Sequence, residues 1–221
     1  MKNKDLTSPS TYLDNIHKYL LIGSAFKEDE KAYRKNSFAP LLLTFALGYY
    51  PGIILKGYWG YMTFAMILIS LACVIIVFKL SSFALTLRDS FWADVVISGT
   101  WVLDFSILEL MYFTIWKGFT PWFLLIYLPV VLIPLLFGIK IYTALKKPDY
   151  NPKETSKSNT KTAGFFYGIL GMNFAAIFRN VDQSTAFIVG LLCFSIVNGF
   201  MSLGLLSLQR LYYMKKFKIN M

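Results

Sequence analysis

Long apolar runs separated by short basic segments constrain this chain more than any other feature. Six runs can be read, at 38–55, 59–78, 91–116, 119–143, 163–179 and 184–208. Each approaches or exceeds the roughly 20 residues that a helix needs to cross about 30 Å of hydrocarbon. Inside lipid every backbone N–H and C=O must find a partner in protein, and a helix satisfies them within one segment. The expected fold is therefore an all-α integral membrane protein, a six-helix transmembrane bundle preceded by an N-terminal interfacial amphipathic helix. Charge is scarce as well as segregated: 15% of residues are charged, against about 25% in a soluble domain. The first and fifth runs are short, whereas the third and fourth are long enough to tilt or to extend past the lipid.

The basic residues orient the runs. With the N-terminus in the cytoplasm and all six runs crossing, 19 of the 22 Lys and Arg fall inside, counting Lys140 near the inner end of the fourth run. Only Lys56, Lys117 and Arg179 fall outside. That asymmetry matches the enrichment of cytoplasmic loops in Lys and Arg, and it requires an even number of crossings with both termini inside. Three regions follow: a cytoplasmic N-terminal region over 1–37, the membrane domain over 38–208, and a basic cytoplasmic tail over 209–221. Within the first, Tyr12, Leu13, Ile16, Tyr19 and Leu20 recur at helical spacing over 11–26, the pattern of a helix lying on the membrane surface. Trp and Tyr residues gather at the expected boundaries, where amphipathic rings reside.

The net charge of +10 has the membrane surface as its expected partner. The basic residues lie beside apolar runs, so anionic headgroups on the cytoplasmic face are expected rather than nucleic acid. The two cysteines, Cys73 and Cys193, lie within apolar runs and read as small packing residues rather than a disulfide framework.

The third run, WVLDFSILELMYFTIW at 101–116 with its preceding turns, is the anomaly, because it carries Asp104 and Glu109. Twelve Leu, Ile, Phe and Val residues between 91 and 116 favour insertion by roughly 4–7 kcal/mol, and two carboxylates oppose it by up to about 5–7 kcal/mol. The terms nearly cancel, so this helix must turn its acids away from lipid, toward other helices or a wet cavity. Five residues separate them, about 7.5 Å along the axis and about 140° around it. One helix thus cannot present them as a paired acid/base site. Asp94 near the inner end can reach Lys140 on the fourth run, and Glu109 can reach Arg179 at the outer end of the fifth. Two readings of Asp104 remain open, a packing residue neutralised by its neighbours or a relay for protons or cations.

Gly164, Gly168, Gly171 and Ala175 recur every three or four residues in the fifth run and form a helix-packing stripe. Ser195 and Gly199 repeat it weakly in the sixth, where Asn198 is expected to hydrogen-bond across helices. Pro129 and Pro134 are expected to kink the fourth run.

His17 is the only histidine, which excludes His-cluster metal sites and His-dependent nucleophilic catalysis within this chain. Neither HExxH, GxSxG nor a phosphate-cradling GxxxxGK[ST] occurs. No catalytic, cofactor-binding or metal-ligating residue is assigned, and no cofactor is expected. The expected function is non-enzymatic action through intramembrane helix contacts with a membrane partner, as a subunit, assembly factor or immunity-type protein. The alternative is a small transporter or ion or proton pathway using the carboxylates of the third run.

Overall fold

The computed structural model describes residues 9–25, 30–48, 57–81, 86–118, 120–151 and 183–219. These form helices α1 (Pro9–Ala25), α2 (Glu30–Leu43, continued by a π turn at Thr44–Gly48), α3 (Tyr58–Leu80), α4 (Leu87–Lys117), α5 (Phe123–Leu145), α6 (Gln183–Met201) and α7 (Ser207–Lys216). A 3-10 turn, Ser202–Leu206, joins the last two. No strand occurs among the described residues. Among the described residues, four stretches are long and apolar enough to cross a membrane: Trp59–Leu80, Leu87–Lys117, Phe123–Leu145 and Ile188–Lys216. The first expected run is described only as far as Gly48, and the fifth lies outside the described residues with Gly164, Gly168, Gly171, Ala175 and Arg179.

The acid-bearing helix α4 is the hub. It packs against α2, α3, α5, α6 and α7. Its start is set locally, by a capping box in which the Thr86 hydroxyl accepts from the Asp89 N–H (3.2 Å) while the Asp89 carboxylate accepts from the Thr86 N–H (3.4 Å). It stops at Gly118, whose φ of +73° few other residues adopt. α3 runs antiparallel to α4, bringing Ser70 to Asp104 and Val77 beside Ala93. The rod formed by α6 and α7 is also antiparallel to α4. Asn198 meets Ser106, Gly204 meets Ser98, and Ser207 meets Asp94.

By contrast α5 and α6 run parallel, with Gly199 against Pro129, Ser202 against Val130 and Gly138 against Leu206. The end of α5 and the start of α6 therefore lie at opposite ends of the bundle. α5 is peripheral and presents Leu124, Leu128, Val131, Leu135 and Ile139 outward, the broad apolar face that lipid accommodates.

The contact between α5 and α6 is backbone-close. A methyl group on Gly199 would stand 2.8 Å from the Pro129 carbonyl oxygen and 2.7 Å from Ile133 Cδ1. Pro134 has no N–H, so the Val130 carbonyl one turn earlier loses its intrahelical donor. Ser202 Oγ lies 3.4 Å from that oxygen, although its single proton is directed more closely to the Gly199 carbonyl at 2.6 Å.

At the end that holds the C-terminus of α7, the first helix departs from the role its sequence pattern assigns. Ile16, Tyr19 and Leu20 are buried against Leu87, Phe91, Leu145 and Tyr213, while Leu13 and Leu21 stay exposed. The apolar face of α1 thus packs chiefly on protein. Asn15 explains the docking geometry. Its amide donates to the carbonyls of Leu145 (3.0 Å) and Lys147 (2.8 Å), groups that the end of α5 leaves without intrahelical partners. Arg210 lies between the rings of Tyr19 (5.1 Å) and Phe91 (5.2 Å). Arg34 likewise closes α3 by donating from Nε to Ser81 Oγ (2.9 Å) and from Nη2 to the Ser81 carbonyl (3.0 Å), a cation where the helix dipole is negative. Residues 209–216, which the sequence reading assigns to a basic tail, continue the last helix, because Tyr213 and Met214 find α1 and α4 to pack on.

Burial at this end makes stability sensitive to alkali. It pushes the Tyr12 and Tyr150 phenols up to about 12 and raises Tyr19 as well, although Arg210 opposes the shift at Tyr19. The folded chain holds these protons to higher pH than the unfolded chain, whose phenols titrate near 10. Unfolding therefore releases protons, and stability falls between about pH 10 and 12. Thermal unfolding in detergent should show that decline, and Tyr150→Phe should make it shallower. An unchanged slope in the variant would reject the assignment.

Candidate functional site

Two polar centres occupy opposite sides of α4. Asp104 and Glu109 are both buried, at 0% and 1% exposure, and their separation around the helix sends them to different neighbours. Asp104 faces α2 and α3. Its Oδ2 accepts from Ser70 Oγ at 2.5 Å and lies 3.1 Å from Thr44 Oγ1. Thr44 stands at the start of the π turn, and its hydroxyl is also 2.9 Å from the Pro40 carbonyl oxygen. A hydroxyl carries one proton, so Thr44 donates to either the carbonyl or the carboxylate. The other carboxylate oxygen, Oδ1, has no hydrogen-bond partner among the described residues.

Glu109 faces α5 and α6. Asn198 Nδ2 donates to Glu109 Oε1 at 3.4 Å and to Ser106 Oγ at 3.2 Å. The Ser106 hydroxyl donates to the Val102 carbonyl. That leaves its oxygen to accept from Tyr127 OH, 3.0 Å away. A polar chain thus runs Tyr127, Ser106, Asn198, Glu109 across three helices. Glu109 Oε2 and Asn198 Oδ1 have no partner among the described residues. Both centres keep their acids out of lipid as the insertion energetics demand. They do so with hydroxyls and an amide, all of them neutral groups.

Asp94 and Lys140 each have a neighbour of another kind. Asp94 accepts from Ser207 Oγ at 3.1 Å, and the exposed Lys140 places Nζ 5.8 Å from the Phe137 ring centre. Arg179, the expected partner of Glu109, and the stripe of Gly164, Gly168, Gly171 and Ala175 lie outside the described residues.

The sequence reading missed Thr44 and Ser70. Each is one hydroxyl in an apolar run, a pattern common in membrane helices, and only the antiparallel register of α2, α3 and α4 brings them to Asp104. Asn198 carried a readable signal, a lone amide at the centre of an apolar run. Ser195, Asn198 and Ser202 are all buried on α6 and its following turn, so the small polar face of the sixth run is the one that packs. Cys73 and Cys193 are free and buried. No group of three or more His, Cys, Asp or Glu able to hold a metal ion occurs among the described residues. No family model matches the chain, and neither the curated proteins nor the solved structures contain a match to it.

Proposed function

We propose that this chain is a small, non-enzymatic transporter or ion pathway whose moving charge is handled at Asp104, with Glu109 assisting from the other side of α4. The single observation that carries this reading is Asp104 itself. It is enclosed by the bundle, is met by two hydroxyls, and keeps one carboxylate oxygen without a hydrogen-bond partner among the described residues. A carboxyl retained only for packing is expected to have its acceptors satisfied, since an unsatisfied buried polar atom costs about 1–3 kcal/mol. An ionisable group at membrane depth with spare coordinating capacity is the usual mark of an ion or proton route. The experiment is flux in proteoliposomes. Cation or proton uptake should be present in the native chain and abolished by Asp104→Asn, a variant of the same shape that keeps an acceptor for Ser70. Equal flux in the two proteins would remove Asp104 from the mechanism.

The same reading places both termini in the cytoplasm, in a cell membrane whose anionic headgroups meet the basic end of the bundle. The parallel relation of α5 and α6 supports the expected six crossings, because the residues between them must join opposite ends. A reporter fused after Lys117 should then be exterior, and a cytoplasmic reporter would contradict the topology.

A second reading, action through helix contacts with a membrane partner, draws on the outward apolar face of α5. Recovery of one stoichiometric membrane partner in mild detergent, with no Asp104-dependent flux, would favour it over the ion pathway.

A further inference from the structure

We infer that the Asp104 centre is a binding site for a dehydrated sodium ion, an inference that rests on the ion-pathway reading and names its cargo. Three helices bring oxygen atoms to one buried point. α4 supplies the Asp104 carboxylate, α3 supplies Ser70 Oγ, and the π turn after α2 supplies Thr44 Oγ1, with the Pro40 carbonyl adjoining it. Asp104, Ser70 and Thr44 are all at 0% exposure.

The donor set selects the class of ion. Carboxylate, hydroxyl and carbonyl oxygens suit hard cations, and the Ser70 and Thr44 groups that meet Asp104 are oxygens rather than the nitrogens or thiolates that transition metals prefer. Charge selects further. One carboxylate neutralises one monovalent cation, whereas a divalent ion would leave an uncompensated positive charge in a water-poor interior. Size completes the choice. The Ser70 and Thr44 hydroxyl oxygens stand at hydrogen-bonding distance from the carboxylate, so an entering ion must draw these oxygens apart, and the small sodium ion requires less movement than potassium.

Two further observations are independent of that donor set. Asp104 Oδ1 is enclosed and has no hydrogen-bond partner among the described residues, so this oxygen keeps its lone pairs for a cation. The helix that approaches it changes to a π turn at Thr44–Gly48. Such turns loosen the backbone ladder and recur at functional sites. Discontinuous membrane helices use freed carbonyls to hold coupling ions near the bilayer centre. When sodium enters, both hydroxyls rotate their protons away and offer lone pairs. Thr44 already has the Pro40 carbonyl as an alternative acceptor for its proton.

The test measures sodium binding and sodium flux on the full-length protein. In detergent, sodium chloride should raise the unfolding temperature saturably, while equal concentrations of potassium or choline chloride should not. Asp104→Asn should abolish the sodium effect. Ser70→Ala and Thr44→Val should each weaken half-saturation about tenfold or more, read as the sodium-dependent shift above each variant's own sodium-free unfolding temperature. In proteoliposomes, radioactive sodium should enter in an Asp104-dependent manner. Asp104-dependent proton flux with no sodium effect on stability would overturn the sodium assignment and leave the pathway standing. Saturable, Asp104-dependent sodium binding without flux of any ion would keep the site and overturn the pathway. Equal stabilisation by all three salts would reject the site outright.

Discussion

Gly199→Ala should destabilise the bundle by about 1–3 kcal/mol, whereas Gly190→Ala, the same change on the same helix, should be neutral or mildly stabilising. At Gly199 the new methyl would press on the Pro129 carbonyl oxygen and on Ile133. The Ile133 side chain can rotate away. The carbonyl belongs to the backbone of α5 and moves only if the helices separate, which also strips Ser202 from Val130. At Gly190 no described residue lies within 4 Å of the added carbon, so the substitution removes only a glycine, whose helix cost is about 1 kcal/mol relative to alanine. Reversible unfolding of both variants in mixed micelles provides the comparison. Equal stabilities would mean that α5 and α6 do not meet at Gly199, and the parallel packing would lose its main support.

Arg210→Gln should loosen the docking of α1 on the bundle without unfolding the membrane domain. The guanidinium lies against the faces of Tyr19 and Phe91, each contact contributing roughly 0.5–2 kcal/mol in a partly desolvated setting. Glutamine retains polarity and loses the cation. The Tyr19 contact joins α7 to α1, and the Phe91 contact joins α7 to α4, so the loss falls on the docking of α1 above all. Asn15 and the buried Ile16 and Leu20 remain, which makes the expected result accelerated hydrogen exchange over Pro9–Ala25 rather than complete detachment. Unchanged exchange there, with faster exchange confined to α7, would show that the cation serves its own helix and not the dock.

Which parts of this structure could be read from residues alone follows a physical division. The helical class was legible because hydrocarbon leaves backbone groups no partner other than the chain itself. The ends of α4 carry local signals, Thr86, Asp89 and Gly118, that the reading of the third run at 91–116 did not use. The inward placement of Asp104 and Glu109 followed from insertion energetics, and their divergence from the helical repeat. The neighbours they turned toward were not legible, because any of several helices could have supplied a hydroxyl or amide at that depth. The dual character of α1 was hidden for a similar reason. An apolar stripe has the same period whether it meets lipid or protein.

The sequence by itself determined that this chain is helical, that it carries segments long and apolar enough to cross a membrane, four of them helices among the described residues, and that its third run carries two acids that a lipid-facing surface would not accommodate. Those properties are sums over local residues or consequences of one helix's periodicity. Only the tertiary structure decided that Thr44 and Ser70 meet Asp104, that Asn198 meets Glu109, that α5 and α6 lie parallel, and that the last helix continues into a dock for the first. Such pairings depend on register and relative direction between segments distant in the chain, and a one-dimensional pattern is unchanged when two helices slide or reverse against each other.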